Sequence, residues 1–124
     1  MRRIACVTVL AACLATAAPA AAEPRISVAP NPVERDQAQT ATGRGWPVIE
    51  FCKRRVRISL RSDQNAIRLG FAPVRTNGRF RFEWTAAGSG VGTGDWRLVA
   101  RLRCESGDDG SAVFVRRSKS IRIR

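Results

Sequence analysis

From residue 23 onward, apolar and polar side chains alternate in short runs stopped by Gly, Pro or Asn, the period of strands and not of helices. Arg25 to Ala29 sets Ile26 and Val28 on one face and ends at Pro30-Asn31-Pro32, which suits an edge strand. Residues 37–42 form a weaker second strand, stopped by Gly43-Arg44-Gly45-Trp46-Pro47, and a turn region follows through Cys52. The clearest strand is Arg55 to Arg61, where Val56, Ile58 and Leu60 point one way and Arg55, Arg57, Ser59 and Arg61 the other. Residues 67–74 are irregular, and Pro73 argues for an edge. Thr76-Asn77-Gly78 then predicts a tight turn needing positive φ. Residues 79–85 alternate again, with Phe80, Phe82 and Trp84 inward and Arg79, Arg81 and Glu83 outward. A glycine-rich loop leads into residues 96–104, where Trp96, Leu98, Ala100 and Leu102 share a face opposed by Arg97, Val99, Arg101 and Arg103. After a polar hairpin loop at 105–110, the last strand starts with Val113 and Val115, breaks near Arg117 and resumes with Ile121 and Ile123. No stretch reads as a helix, so the pattern predicts an all-β sandwich.

Residues 1–22 depart from that rhythm. Arg2 and Arg3 precede an apolar run from Ile4 to Leu14, and small residues end in Ala20-Ala21-Ala22 before Glu23-Pro24. Charge, a short apolar core and A-x-A make the layout of a cleavable signal peptide, too short to span a bilayer. We expect cleavage after Ala22, one domain over 23–124, and a mature chain that is secreted or held in the cell envelope with no transmembrane segment. A second reading takes Leu10-Ala11-Ala12-Cys13 as a lipobox, which would make Cys13 a lipid anchor. The very short apolar core ahead of Cys13 favours the first.

Roughly a hundred residues then remain, enough for one domain with a modest core. Cys6 and Cys13 leave with the leader, so Cys52 and Cys104 are an even pair in an exported chain, and they read as a disulfide. Without Arg2 and Arg3 the chain keeps 20 basic and 10 acidic residues, a net +10. Only Lys53 and Lys119 of the basic residues are lysines. GC-rich coding can produce such an arginine excess, but a charge of this size still draws a protein to polyanions.

The order of elements resembles a known family. A Pro-containing first strand is followed by Gly43-Arg44-Gly45-Trp46-Pro47 and a Cys ahead of Val-x-Ile-x-Leu. Then come Asn77-Gly78-Arg79-Phe80-Arg81-Phe82, Gly94-Asp95-Trp96-Arg97-Leu98-Val99-Ala100, and a Cys ending that strand. This resembles the small immunoglobulin-like domains of bacterial exported and cell-surface proteins. The resemblance implies a Greek-key sandwich of about seven strands with Trp96 and Phe82 in the core. In such a sandwich the strand from Arg55 runs antiparallel beside the strand ending at Cys104, which brings Cys52 and Cys104 within bonding reach. Relative to the family, residues 48–54 form a longer and more charged turn.

With no His, the chain has no Ser-His-Asp or Cys-His arrangement and no imidazole ligand. Asp95 and the Glu105–Asp109 loop fall at opposite ends of one strand, about 30 Å apart, too far for an acid–base pair. Asp108-Asp109-Gly110 reads as a turn with too few oxygens for calcium. The expectation is therefore a protein that is not an enzyme, with no cofactor and no metal. If Cys52 lies opposite Cys104, the register sets Arg55 against Arg101 and Lys53 against Arg103, like charges in a contact that costs stability. Lys53, Arg55, Arg57, Arg61, Arg97, Arg101 and Arg103 would then share an outward face with no acid on those two strands, while Arg25, Arg116 and Arg122 lie away from it. Guanidinium groups suit phosphate or carboxylate, so the face is a candidate anion-binding surface. Candidate partners are an anionic wall polymer, lipid head groups or another envelope protein. Export, and a face without exposed aromatics for stacking, argue against nucleic acid. The alternative function is a secreted cationic effector, an inhibitor or an antimicrobial protein.

Overall fold

The computed structural model describes residues 23–106 and 110–124. The leader, with Cys6 and Cys13, and the Asp108-Asp109 pair lie outside the described residues. Among the described residues seven strands run in chain order: β1 (Arg25–Ala29), β2 (Ala38–Arg44), β3 (Arg55–Arg61), β4 (Ala66–Pro73), β5 (Phe80–Thr85), β6 (Gly94–Glu105) and β7 (Ala112–Ile123). They form two antiparallel sheets, ordered β1-β2-β5 and β4-β3-β6-β7, and no helix occurs among the described residues.

One core lies between the sheets. Val56, Ile58 and Leu60 of β3 and Leu98, Ala100 and Leu102 of β6 are fully buried there, as their alternation requires. Phe80 and Trp84 of β5 close the core from the other sheet. Phe82 and Trp96, expected in the core, pack against it but stay half-buried. Trp46, in the stretch that the sequence marks as a strand stop, is a core residue: it is buried although it belongs to no strand. Its ring meets Phe80 edge-on at 5.4 Å, and its indole N–H donates to the Arg25 carbonyl at 3.1 Å.

The buried Gln39 is satisfied, as a polar core group must be. Its Nε2 donates to the Pro30 carbonyl at 2.8 Å, and its Oε1 accepts the Trp84 indole N–H at 3.2 Å. Past β1 the chain changes sheets: Val33 bridges Ile123 in parallel, its N–H donating to the Arg122 carbonyl at 2.9 Å.

Two glycines are dictated by their surroundings. Gly78 has φ 79°, and a Cβ there would come within 2.9 Å of the Trp46 carbonyl oxygen. Gly43 pairs with Phe80, whose ring lies where a Cβ would stand. Gly43→Ala should therefore cost about 1–3 kcal/mol by overpacking, read as a lowered thermal midpoint. An unchanged melt would mean that the Phe80 ring is free to leave.

β7 does not break near Arg117. It pairs with β6 without interruption from Ala112 to Ile123, because its ladder needs only backbone groups. Arg117 and Lys119 share the parity of the inward residues Ile121 and Ile123, yet both are exposed. Arg117 Nε donates to the Pro24 carbonyl at 2.9 Å, at the open edge between the sheets. Charges of inward parity on an edge strand discourage pairing with another chain.

Candidate anion-binding face

The disulfide ties the approach to β3 to the end of β6: Cys52 is bonded to Cys104, and the two form an isolated antiparallel bridge. This places the bond between neighbours in one sheet. The register beyond it differs from the simple extension. Arg57 lies opposite Arg101 and Arg61 opposite Arg97, so Arg55 does not face Arg101. Between the cystine and that pair, β3 carries two more residues than β6. Lys53 does lie beside Arg103, its N–H donating to that carbonyl at 2.9 Å, and the surplus is taken up around Arg54, whose carbonyl turns to Val74.

The outer positions of the four strands form a grid. One row runs Phe71 of β4, Arg57 of β3, Arg101 of β6 and Arg116 of β7. The next holds Arg68, Ser59, Val99 and Ser118, and the one beyond it Ala66, Arg61, Arg97 and Ser120. Arg116, expected away from the face, therefore belongs to it, as does Arg68. All seven residues expected on the face lie on or beside β3 and β6, at the anticipated parity. β6 is longer than expected and takes in Asp95 and Glu105, so carboxylates end the grid without entering it. Asp95 is engaged by Arg122 at 3.0 Å. Among the described residues, no grid arginine has a salt bridge.

Crowding of like charge is felt at the centre. Partial burial, and then the positive charges of Arg101 and Arg68, hold the Arg57 guanidinium below its ordinary pKa. Val99 points outward with the arginines yet is buried, because long arginine stems cover apolar surface while their heads reach water.

The face also has aromatics, contrary to the expectation. Phe71 and Phe114 stand on the two outermost strands, both exposed. Arg55 lies over the Phe71 ring at 4.3 Å and Arg101 over Phe114 at 4.5 Å, contacts that steady both guanidiniums without neutralising them. Between the rings is a hollow of about 220 Å³ lined by those residues with Lys53, Arg57 and Arg103. A second hollow of about 180 Å³ is floored by Ser59 and Val99, the small residues of the next row. Arg57 and Arg101 border both. A larger depression of about 850 Å³ lies at the Asp95 end, but it mixes Asp63 and Asp95 with arginines and has no single sign.

Such a surface offers a row of fork-shaped donors for oxyanions, spaced along the strands by about 7 Å per pair of residues. Among the described residues, no three of His, Cys, Asp and Glu gather as metal ligands. No family model, curated protein or solved structure matches this chain.

Proposed function

We propose that the protein is an exported, non-catalytic binding module of the cell envelope, an immunoglobulin-like domain that holds anionic polymers on its β4-β3-β6-β7 face. The strand orders β1-β2-β5 and β4-β3-β6-β7 and the bonded cysteines support the domain reading. The leader pattern supports export. One observation carries the binding reading: eight arginines share the outer positions of one sheet with no carboxylate between them. Fold stability alone disfavours that arrangement, because directly opposed like charges repel. A polyanion would offset the repulsion.

The affinity is that of a surface. It should depend on charge density and not on ligand sequence. Neutralising three or four ligand charges makes affinity for heparin fall about tenfold to a hundredfold between low and physiological salt. A titration across salt concentration checks this, and salt-independent binding or no binding would contradict the reading.

A further inference from the structure

The described residues include five large apolar side chains that are exposed: Ile49, Phe51, Phe71, Val113 and Phe114. All five gather at one end of the sandwich, around the disulfide. Val113 pairs with Cys104 and Phe114 with Arg103, while the Phe51 carbonyl accepts the Glu105 N–H at 2.8 Å. The Cys52 N–H donates to the Ile49 carbonyl at 3.0 Å. Phe71 reaches the same region across the sheet as the neighbour of Arg57. Isolated exposed apolar groups are ordinary, but a cluster rimmed by polar and charged residues marks an interaction surface.

An anionic polymer draws mainly on the charge of this surface. An anionic bilayer gains from both parts of this surface, because guanidiniums sit at phosphate depth while apolar side chains enter the boundary with the acyl region. Arg55 on Phe71 and Arg101 on Phe114 already pair the two groups at that depth. We propose that the partner is an anionic lipid surface, on which the β4-β3-β6-β7 face docks near its disulfide end with Phe51, Phe71 and Phe114 inserted. Glu50 precedes Phe51 and Glu105 is its backbone partner, so Phe51 enters at the margin of the contact, and the arginine face, not the tip, lies against the lipid. The proposal rests on the cationic face described above and adds to it the identity of the surface.

The test uses the chain from Glu23, since residues 1–22 carry an apolar run that would itself bind vesicles, and residues 23–124 contain every described strand, the core and the disulfide. Vesicles of phosphatidylcholine and of equal parts phosphatidylcholine and phosphatidylglycerol are compared by co-sedimentation, with heparin as a soluble polyanion. Binding is expected to the anionic vesicles only. The variant Phe51→Ser/Phe71→Ser/Phe114→Ser should lose about tenfold or more in vesicle affinity, as apolar burial at the boundary is lost, while heparin affinity falls far less, only by what the rings add in steadying Arg55 and Arg101. Unchanged vesicle affinity in that variant overturns lipid docking and leaves the polyanion reading standing. A parallel loss of heparin binding in a folded variant also overturns it, since the rings would then serve only to position arginines. Should the triple variant fail to fold, Phe114→Trp carries the test: its emission less that of the wild type, which has Trp46, Trp84 and Trp96, should shift to the blue on anionic vesicles and not on heparin, and an unshifted difference spectrum on bound vesicles overturns the proposal.

Discussion

Trp46→Ala should lower stability by about 3–5 kcal/mol, the range for deleting a large buried ring. The side chain is 2% exposed and packs edge-on against Phe80. Its indole N–H is satisfied by Arg25 at the start of β1, and its backbone N–H by Gly78 in the turn before β5. Removing the ring thus opens the core and loosens two strands of one sheet together. Trp96→Ala should cost less, because Trp96 is only half-buried and its N–H binds the Gly92 carbonyl in its own loop at 3.1 Å. For a domain of this size each kcal/mol moves the melting midpoint by about 4–8 °C, so the two variants separate clearly in a thermal melt. A larger loss from Trp96→Ala would mean that the core is centred elsewhere.

The second large effect belongs to the disulfide. Cys52 and Cys104 are 52 positions apart, and closing a loop of that length is worth about 4 kcal/mol in the chain-entropy model. Cys52 is also buried, so the double variant Cys52→Ala/Cys104→Ala loses packing as well as the tether. Urea unfolding of that variant should show a midpoint shifted down by the equivalent of about 4 kcal/mol. Wild-type protein unfolded in the presence of reductant should show most of that shift, since it loses the tether and keeps the side chains. An unmoved midpoint would mean that the bond does not constrain the unfolded chain.

Much of the fold is written in period-two alternation. β1 and β3 begin and end where their alternation does, and the Asn77-Gly78 turn adopts the positive φ that its residues permit. Sheet neighbours share few such signals. Trp46 sits among Gly and Pro, so its local sequence says turn, and only the approach of Phe80 from a distant strand explains its burial. β7 reads as broken because Arg117 and Lys119 take inward-parity positions, which an open sheet edge tolerates.

The candidate face was legible at its centre and not at its margins. Alternation alone puts Arg57, Arg61, Arg97, Arg101 and Arg103 outward. Which arginines stand opposite each other depends on the two surplus residues before β3, and no local pattern announces them. Arg68, Phe71, Phe114 and Arg116 join the face only once β4 and β7 are known to flank β3 and β6. The alternation of β4 is further masked by an irregularity where Ile58 pairs with Gly70 and Ser59 with Arg68.

The central claim is that the arginines act as one face and not as bulk charge. Arg57, Arg101 and Arg116 form a row on the proposed surface, whereas Arg25, Arg44 and Arg81 lie exposed on the outer side of the β1-β2-β5 sheet. Replacing either set with Ser removes the same charge, so heparin affinity at one fixed low salt concentration separates position from composition. We expect about a tenfold or greater loss for Arg57→Ser/Arg101→Ser/Arg116→Ser and a much smaller loss for Arg25→Ser/Arg44→Ser/Arg81→Ser. Equal losses in the two variants would contradict the claim and reduce the face to composition.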